Sequence, residues 1–282
     1  MIHEDCETSE QRRPKIQVRR VYKNIIVIPA RYHSSRFPGK PLALINGKSL
    51  LERVWSIAKL VTGIDEVYIA TNDTRIESHA IGFSAKVIMT DDCDNGTERV
   101  FQAISALPVK PEVILNVQGD AVLTPPWVIQ SLIDAMLCHP RLAIVTPATR
   151  ITRDEYFAMQ ANKSKGEVGG TMVVCDKAHN ALYFSKNMIP YLREANGDWL
   201  PLYRHIGLYA YRYTALKKYI GLAATPLEKI EGLEQLRALE NGIPIRLVFV
   251  DYRGRTHASI DSPHDITRVE AIIGKEGELV SF

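Results

Sequence analysis

The sequence predicts an α/β fold, a mainly parallel sheet covered by helices on both faces and joined by a smaller α+β lobe. Three observations point there. Short strand-like runs alternate with segments of helical periodicity from residue 24 to about 149. The run 112–118 is strongly apolar, as strands buried on both faces are. After residue 170 the alternation gives way to strand-like segments separated by loops. At 282 residues, with 46% hydrophobic and 24% charged side chains, the chain has the composition of a soluble globular protein with a substantial core.

The first strand, 24–29, opens into a loop within IPARYHSSRFPGKPL, residues 28–42, that carries Arg31, Arg36 and Lys40. A cationic loop behind a strand suits a polyphosphate. Guanidinium and ammonium groups make charge-assisted hydrogen bonds to phosphate oxygens, while Gly39 and the paired serines, Ser34 and Ser35, let backbone N–H groups approach. A solvated surface loop is the competing reading, since the spacing fits neither GxxxxGK[ST] nor GxGxxG. Three cations with PGKP on so short a segment weigh against it. Helix 49–61 follows, with Ser49 and Glu52 as a capping-box pair and apolar residues at helical spacing. Next come strand 66–71, helix 73–83 capped by Asp73, strand 85–90, helix 97–107 and strand 112–118. A helix from after Pro125 to about 137 and strand 142–149 complete this part. Ligands of such sheets bind at the carboxyl ends of strands, where the phosphate loop and Asp120 both fall.

Strands are expected at 171–175, 181–185 and 205–213, forming a smaller lobe within about 171–225. A helix at 227–240, ended by Asn241 and Gly242, and a strand at 243–250 then lead to a last helix after Asp261. Ser262 and Pro263 suit its N-cap and N1, and Gly274 its end.

A net charge of +3 is too small to argue for nucleic-acid binding. Cys6, Cys93, Cys138 and Cys175 have no metal-ligand spacing, which reads as reduced thiols in a cytoplasmic protein. Residues 1–23 are polar and basic, neither a secretory signal nor a membrane span, and read as a flexible extension; no membrane insertion is expected.

Two further segments carry chemistry. DNGTERV, 94–100, puts Gly96 and Thr97 at a helix N-terminus, where free N–H groups and a hydroxyl can meet a base or phosphate, although a simple helix cap would look the same. NVQGD, 116–120, ends a strand with Gln118, a glycine and Asp120, an acid well placed to hold Mg²⁺ against phosphate or, alternatively, to cap a turn.

The residues also carry a family resemblance. IPARYHSSRFPGKPL is similar to the opening motif of the 3-deoxy-manno-octulosonate (Kdo) cytidylyltransferases, which join CMP to an eight-carbon acidic sugar. NGTER resembles their SGTER, SIDSPHDI their VDTPED, ALYFSKNMIP their ALYFSRATIP, and RHIGLYAY their RHLGIYGY; LEQLRAL matches closely. The resemblance covers about residues 24–273. It implies a Rossmann-like nucleotidyltransferase sheet with a dimerisation lobe, and a homodimer. It also implies transfer of CMP from CTP to an anomeric hydroxyl, with release of pyrophosphate, for lipopolysaccharide biosynthesis.

Residue by residue, the resemblance places Arg31, Ser35, Arg36, Lys40, Asn95, Gly96, Thr97, Arg99 and Gln118 on CTP. Gln118, His205, Tyr209, Glu234 and Gln235 fall on the sugar, and Asp120 and Asp261 on Mg²⁺. Arg31, Lys40, Asp120 and Asp261 are then the catalytic set. On residues alone, His205 would be a core histidine and Glu234 and Gln235 a solvated pair on helix 227–240. Asp261 could instead cap the last helix.

The chain departs from the family pattern at Asn72, Asn95, Ala121, Val122 and Met172. Lost polar groups there point to an altered sugar or reduced activity. An 8-amino-Kdo or other acidic-sugar transferase, and a nucleotide-binding pseudoenzyme, are the alternatives. Sialic-acid activating enzymes typically have Lys-Asn where this chain has Lys40 and Pro41.

Overall fold

Alternation along the first strand sets the architecture. In β1 (Asn24–Pro29) the residues from Ile25 to Ile28 are fully buried, with Ile26 and Ile28 packed into one apolar layer and Ile25 and Val27 into another. A strand apolar on both faces needs cover on both, each buried aliphatic side chain contributing about 1.5–3 kcal/mol. The computed structural model describes residues 23–34, 36–164, 170–193 and 200–282. Ser35 and residues 1–22, with the flexible extension expected there, lie outside the described residues.

In chain order, β1 is followed by the small hairpin β2 (Leu44–Ile45) and β3 (Lys48–Ser49), α1 (Leu50–Lys59), β4 (Glu66–Thr71), α2 (Thr74–Gly82) and β5 (Lys86–Met89). Then come α3 (Gly96–Ser105), β6 (Val113–Asn116), α4 (Pro126–Cys138), β7 (Ile144–Arg150) and α5 (Arg153–Ser164). The remainder is β8 (Met172–Cys175), β9 (Ala181–Ser185), β10 (Tyr203–His205), β11 (Tyr209–Arg212), α6 (Tyr213–Ile220), α7 (Pro226–Glu231), α8 (Gln235–Glu240), β12 (Ile245–Phe249) and α9 (His264–Glu276). The expected caps form: Ser49 Oγ accepts from Glu52 N at 3.1 Å and Asp73 Oδ1 from Arg75 N at 2.9 Å.

One ten-stranded sheet runs β5-β4-β1-β6-β11-β7-β10-β8-β9, with β12 on the other side of β7. The strands from β5 to β6 are parallel, as is the β7–β12 pair; β11 runs antiparallel between β6 and β7. Helices α1, α2, α4 and α9 bury their apolar stripes in one layer, and α3, α6 and α8 in the other. Strands β8, β9 and β10 extend the same sheet antiparallel. Beside them a third apolar cluster joins Tyr156 of α5 to Met172, Met188 and Leu202.

Four features correct the sequence reading. The strand expected at 205–213 is two: from His205 opposite Ala148 to Ala210 opposite Val145, five steps along one strand meet three along β7. Thr146 Oγ1 fills the irregularity, hydrogen-bonded to Leu208 O at 2.7 Å and within 2.8 Å of His205 Nε2. The helix expected at 227–240 is broken at Gly232, whose φ of 61° closes α7 in the left-handed conformation. The last helix runs through Gly274 and stops at Gly277, φ 80°. Helices α5 and α6 were not expected, and Tyr156 alone is buried along α5, too little for a periodicity to show.

Candidate active site

The carboxyl ends of the parallel neighbours β1 and β6 lie side by side, and the loops leaving them build the site. After β1 the backbone turns at Gly39, φ 72°, where Gly39 N donates to Tyr32 O at 2.8 Å and an added Cβ would stand 3.2 Å from the Tyr32 ring. The Arg75 guanidinium covers that ring, 3.3 Å from its centroid. The turn delivers Lys40, whose Nζ donates to Asp120 Oδ2 at 2.8 Å and to Ile260 O at 2.9 Å. One ammonium group therefore joins the β1 loop, the end of β6 and the segment before α9.

Asp261, next to Ile260, accepts from Arg36 NH2 at 3.2 Å in an exposed pair. Such pairs contribute little to stability, so this carboxylate is available to other partners. Asp265 is not: its Oδ2 accepts from Asp261 N, Ser262 N and Ser262 Oγ at 2.9–3.0 Å. The helix-entry role thus belongs to Asp265, and Asp261 faces the cavity.

That cavity, of about 260 Å³, is lined by Arg31, Arg36, Lys40, Asn95, Gly96, Arg99, Gln118, Gly119, Asp120 and Asp261 among others. Its floor is tight where glycines sit. A Cβ on Gly119 would approach Pro29 O to 3.0 Å, and one on Gly96 would come within 3.2 Å of the Pro29 ring. Arg99 is nearly inaccessible, and burial lowers its pKa. It donates to Thr90 Oγ1.

A second cavity, of about 430 Å³, adjoins the first through Arg31, Asn95, Gly96 and Gln118, which line both. It adds Arg204, His205, Tyr209, Glu234, Gln235 and His257. A buried chain of hydrogen bonds ties the two together. Gln118 Nε2 donates to Asn116 Oδ1 at 3.1 Å, Asn116 Nδ2 to Thr97 Oγ1 at 3.2 Å, and Thr97 Oγ1 to Glu234 Oε1 at 2.8 Å. Burial raises the pKa of Glu234 against that hydrogen bond. Burial also pulls His205 down to about 3, so its ring is neutral, 5.6 Å from the Tyr209 ring.

Every described residue expected on CTP, sugar or metal lines one of the two cavities except Thr97. Its hydroxyl is wholly buried and occupied by Asn116 and Glu234. Ser35 lies outside the described residues. Asn95 serves as the α3 cap, its Oδ1 accepting from Glu98 N at 2.9 Å. Glu234 and Gln235 sit at the break between α7 and α8 rather than inside one helix. Of the departures from the family pattern, Met172 and Val122 fill apolar core, and Asn72 donates to Asp92.

Sequence reasoning passed over Asn116, Arg204 and His257. The first two stood inside quoted motifs, NVQGD and RHIGLYAY, whereas nothing around His257 marked it.

The donors suit a hard cation. Asp120 and Asp261 supply carboxylate oxygens to one cavity, and no group of three or more His, Cys, Asp or Glu that could hold a metal occurs among the described residues. Two carboxylates completed by phosphate oxygens and water is how Mg²⁺ is commonly held.

Comparison with known proteins agrees with this geometry. A family described as cytidylyltransferase matches residues 25–247. The 3-deoxy-manno-octulosonate cytidylyltransferase of Maricaulis maris is 50% identical, over 91% of this chain and 99% of its own. The 8-amino-3,8-dideoxy-manno-octulosonate cytidylyltransferase of Shewanella pealeana is 40% identical, over 87% and 96%. The solved structure of a CMP:2-keto-3-deoxy-manno-octonic acid synthetase complexed with CTP is 35% identical, with a TM-score of 0.80 over 90% of this chain and 99% of that one.

Proposed function

Since the chain belongs to the cytidylyltransferase family, we propose that it transfers CMP from CTP to the anomeric hydroxyl of Kdo, forming CMP-Kdo and releasing pyrophosphate. The observation that carries this is the pair of adjoining cavities, one cationic and glycine-floored, the other polar and lined by Arg204, His205, Glu234 and Gln235, with Gln118 and Arg31 on their shared wall.

The sugar oxygen attacks the α-phosphate, its bond to phosphorus forms as the bond to the β-phosphate oxygen breaks, and the hydroxyl proton is lost to solvent or phosphate. Arg31, Arg36 and Lys40 bind the triphosphate and neutralise its charge. The end of β6 holds Gln118 beside Gly96, where it meets the cytosine; a wrong base edge leaves a buried donor or acceptor unpaired, so CTP is preferred over UTP and ATP. His205, Tyr209, Glu234 and Gln235 orient the sugar, and holding two substrates in line lowers the barrier. Asp120 and Asp261 hold Mg²⁺, which when bound supplies charge stabilisation at the α-phosphate and lowers the proton affinity of the attacking hydroxyl.

Pyrophosphate release from CTP and Mg²⁺ with Kdo, 8-amino-Kdo and a sialic acid tests the reading, and replacing CTP by UTP or ATP tests the base. Turnover separates an enzyme from a nucleotide-binding pseudoenzyme, and comparable turnover of all three nucleotides would remove the CTP assignment. A cytoplasmic homodimer belongs to the same proposal. Exposed Leu182 on the edge strand β9 and exposed Tyr191 support the dimer; a monomer by light scattering would remove it. Among the described residues no helix is long and apolar enough to cross a membrane.

A further inference from the structure

The second cavity holds polar atoms that the protein does not satisfy. Among the described residues, Arg204 Nε, His257 Nδ1 and Gln235 Nε2 are buried without a hydrogen-bond partner, and all three residues line this cavity. Nearly all buried polar atoms in folded proteins are paired, so three orphans around one cavity mark groups whose partner arrives with the ligand.

Arg204 is the most demanding of them, because a guanidinium does not shed its charge at any ordinary pH. It sits on β10, paired with Thr149 on one side and Met172 on the other, a rigid mounting. Gly170 lies against it, where an added Cβ would stand 3.5 Å from Nε. Burial lowers the Arg204 pKa, as it does for a charge lacking its counterpart. Among the described residues the acid that acts on it is Glu155, whose Oε2 is engaged by Thr152 N and Oγ1 at 2.6 and 2.9 Å. Lys163 adds like charge nearby.

We propose that Arg204 receives the carboxylate of the acidic sugar, with the His257 ring donating the second contact. The proposal rests on the cytidylyltransferase reading and deepens it. In an ulosonic acid the carboxylate and the anomeric hydroxyl share one carbon, so a fork closed on the carboxylate also aims the attacking oxygen. Arg204 is then a specificity-determining residue as well as an anchor.

The test compares Kdo with its carboxamide, in wild type and in Arg204→Gln and Arg204→Lys variants, by pyrophosphate release and by calorimetric binding. Wild type is expected to favour the acid over the amide by about 10–100-fold, the worth of a charged hydrogen bond. Arg204→Gln should raise the KM for Kdo by about the same factor, leave the KM for CTP unchanged and bring the acid-to-amide ratio near one; Arg204→Lys should restore part of it. Equal use of acid and amide by wild type overturns the proposal, as does undiminished discrimination in Arg204→Gln. Should that variant not fold, His257→Gln and the wild-type comparison still decide. Turnover of Kdo by wild type tests the underlying reading separately, and calorimetry reads the subsite even without turnover.

Discussion

Asp120 and Asp261 arrive from distant parts of the chain, and Lys40 holds them together by donating to one carboxylate and to the carbonyl beside the other. If both hold one cation, they act as a unit. Asp120→Asn and Asp261→Asn should then each lower kcat on the order of 100-fold, and the double variant should be little worse than either single one. Additive losses, or near-normal turnover in either single variant at saturating substrates, would dissolve the unit. The two buried histidines also make stability depend on pH. Burial holds His205 down at about 3 and His257 at about 4, in the second case with help from Arg204. The unfolded chain takes up a proton at each near pH 6.5, whereas the folded chain does so only near those lower values. Between them the unfolded state binds up to about two more protons, so stability falls as pH drops from 7 toward 4. Glu234, raised by burial, has the opposite sign and offsets part of that loss at the acid end. Urea midpoints across this range should decline, and His205→Gln should remove about one proton from the slope; an unchanged slope would show that His205 is not the group responsible.

The break between α7 and α8 shapes one wall of the second cavity. Glu228 Oε2 accepts from Thr225 N at 3.2 Å at the start of α7, Gly232 ends it at φ 61°, and Glu234 and Gln235 follow at the start of α8. The break turns Glu234 inward to Thr97, and so joins the second cavity to β6 through Asn116. Gly232→Ala would force an L residue into the left-handed region and bring its Cβ to 3.1 Å from Lys186 Nζ. Gly242 has a similar φ, 67°, but an added Cβ there meets nothing within 4 Å. Both alanine variants should lose about 1 kcal/mol of stability, read from urea unfolding. Only Gly232→Ala should also raise the KM for the sugar, because only it shifts Glu234 and Gln235. Equal sugar KM values in the two variants would separate the break from the site.

Across the whole molecule, what could be read in advance was local. Strands β1, β4 and β9 and the caps at Ser49 and Asp73 announce themselves within a few residues, because burial of both faces and helix capping are short-range constraints. The insertion of β11 between β6 and β7, the irregularity filled by Thr146 and the joining of Thr97 to Glu234 depend on pairings between remote segments, which spacing does not encode. The site motifs were legible, while Arg204 needed its burial to be noticed. The C-terminal segment makes a remote pairing of the same kind. Past α9 the chain turns back at Gly277, and Glu278 reaches Arg53 of α1, NH1 to Oε2 at 2.6 Å. Arg53 is 3% exposed, donates from Nε to Ile45 O at 2.8 Å and has the Phe282 ring 4.8 Å away. This contact seats α9, and the first turn of α9 carries Asp265, which fixes the backbone of Asp261. Glu278→Ala leaves a buried guanidinium without its carboxylate and should cost on the order of 2 kcal/mol, below the figure for a fully buried pair because Glu278 is 38% exposed. In an Arg53→Met background, where no charge is stranded, the same change should cost far less, since an apolar side chain of similar length replaces the ion pair at little penalty. Urea unfolding of the four chains gives the coupling directly. An equal loss in both backgrounds would mean that Glu278 stabilises α9 independently of Arg53.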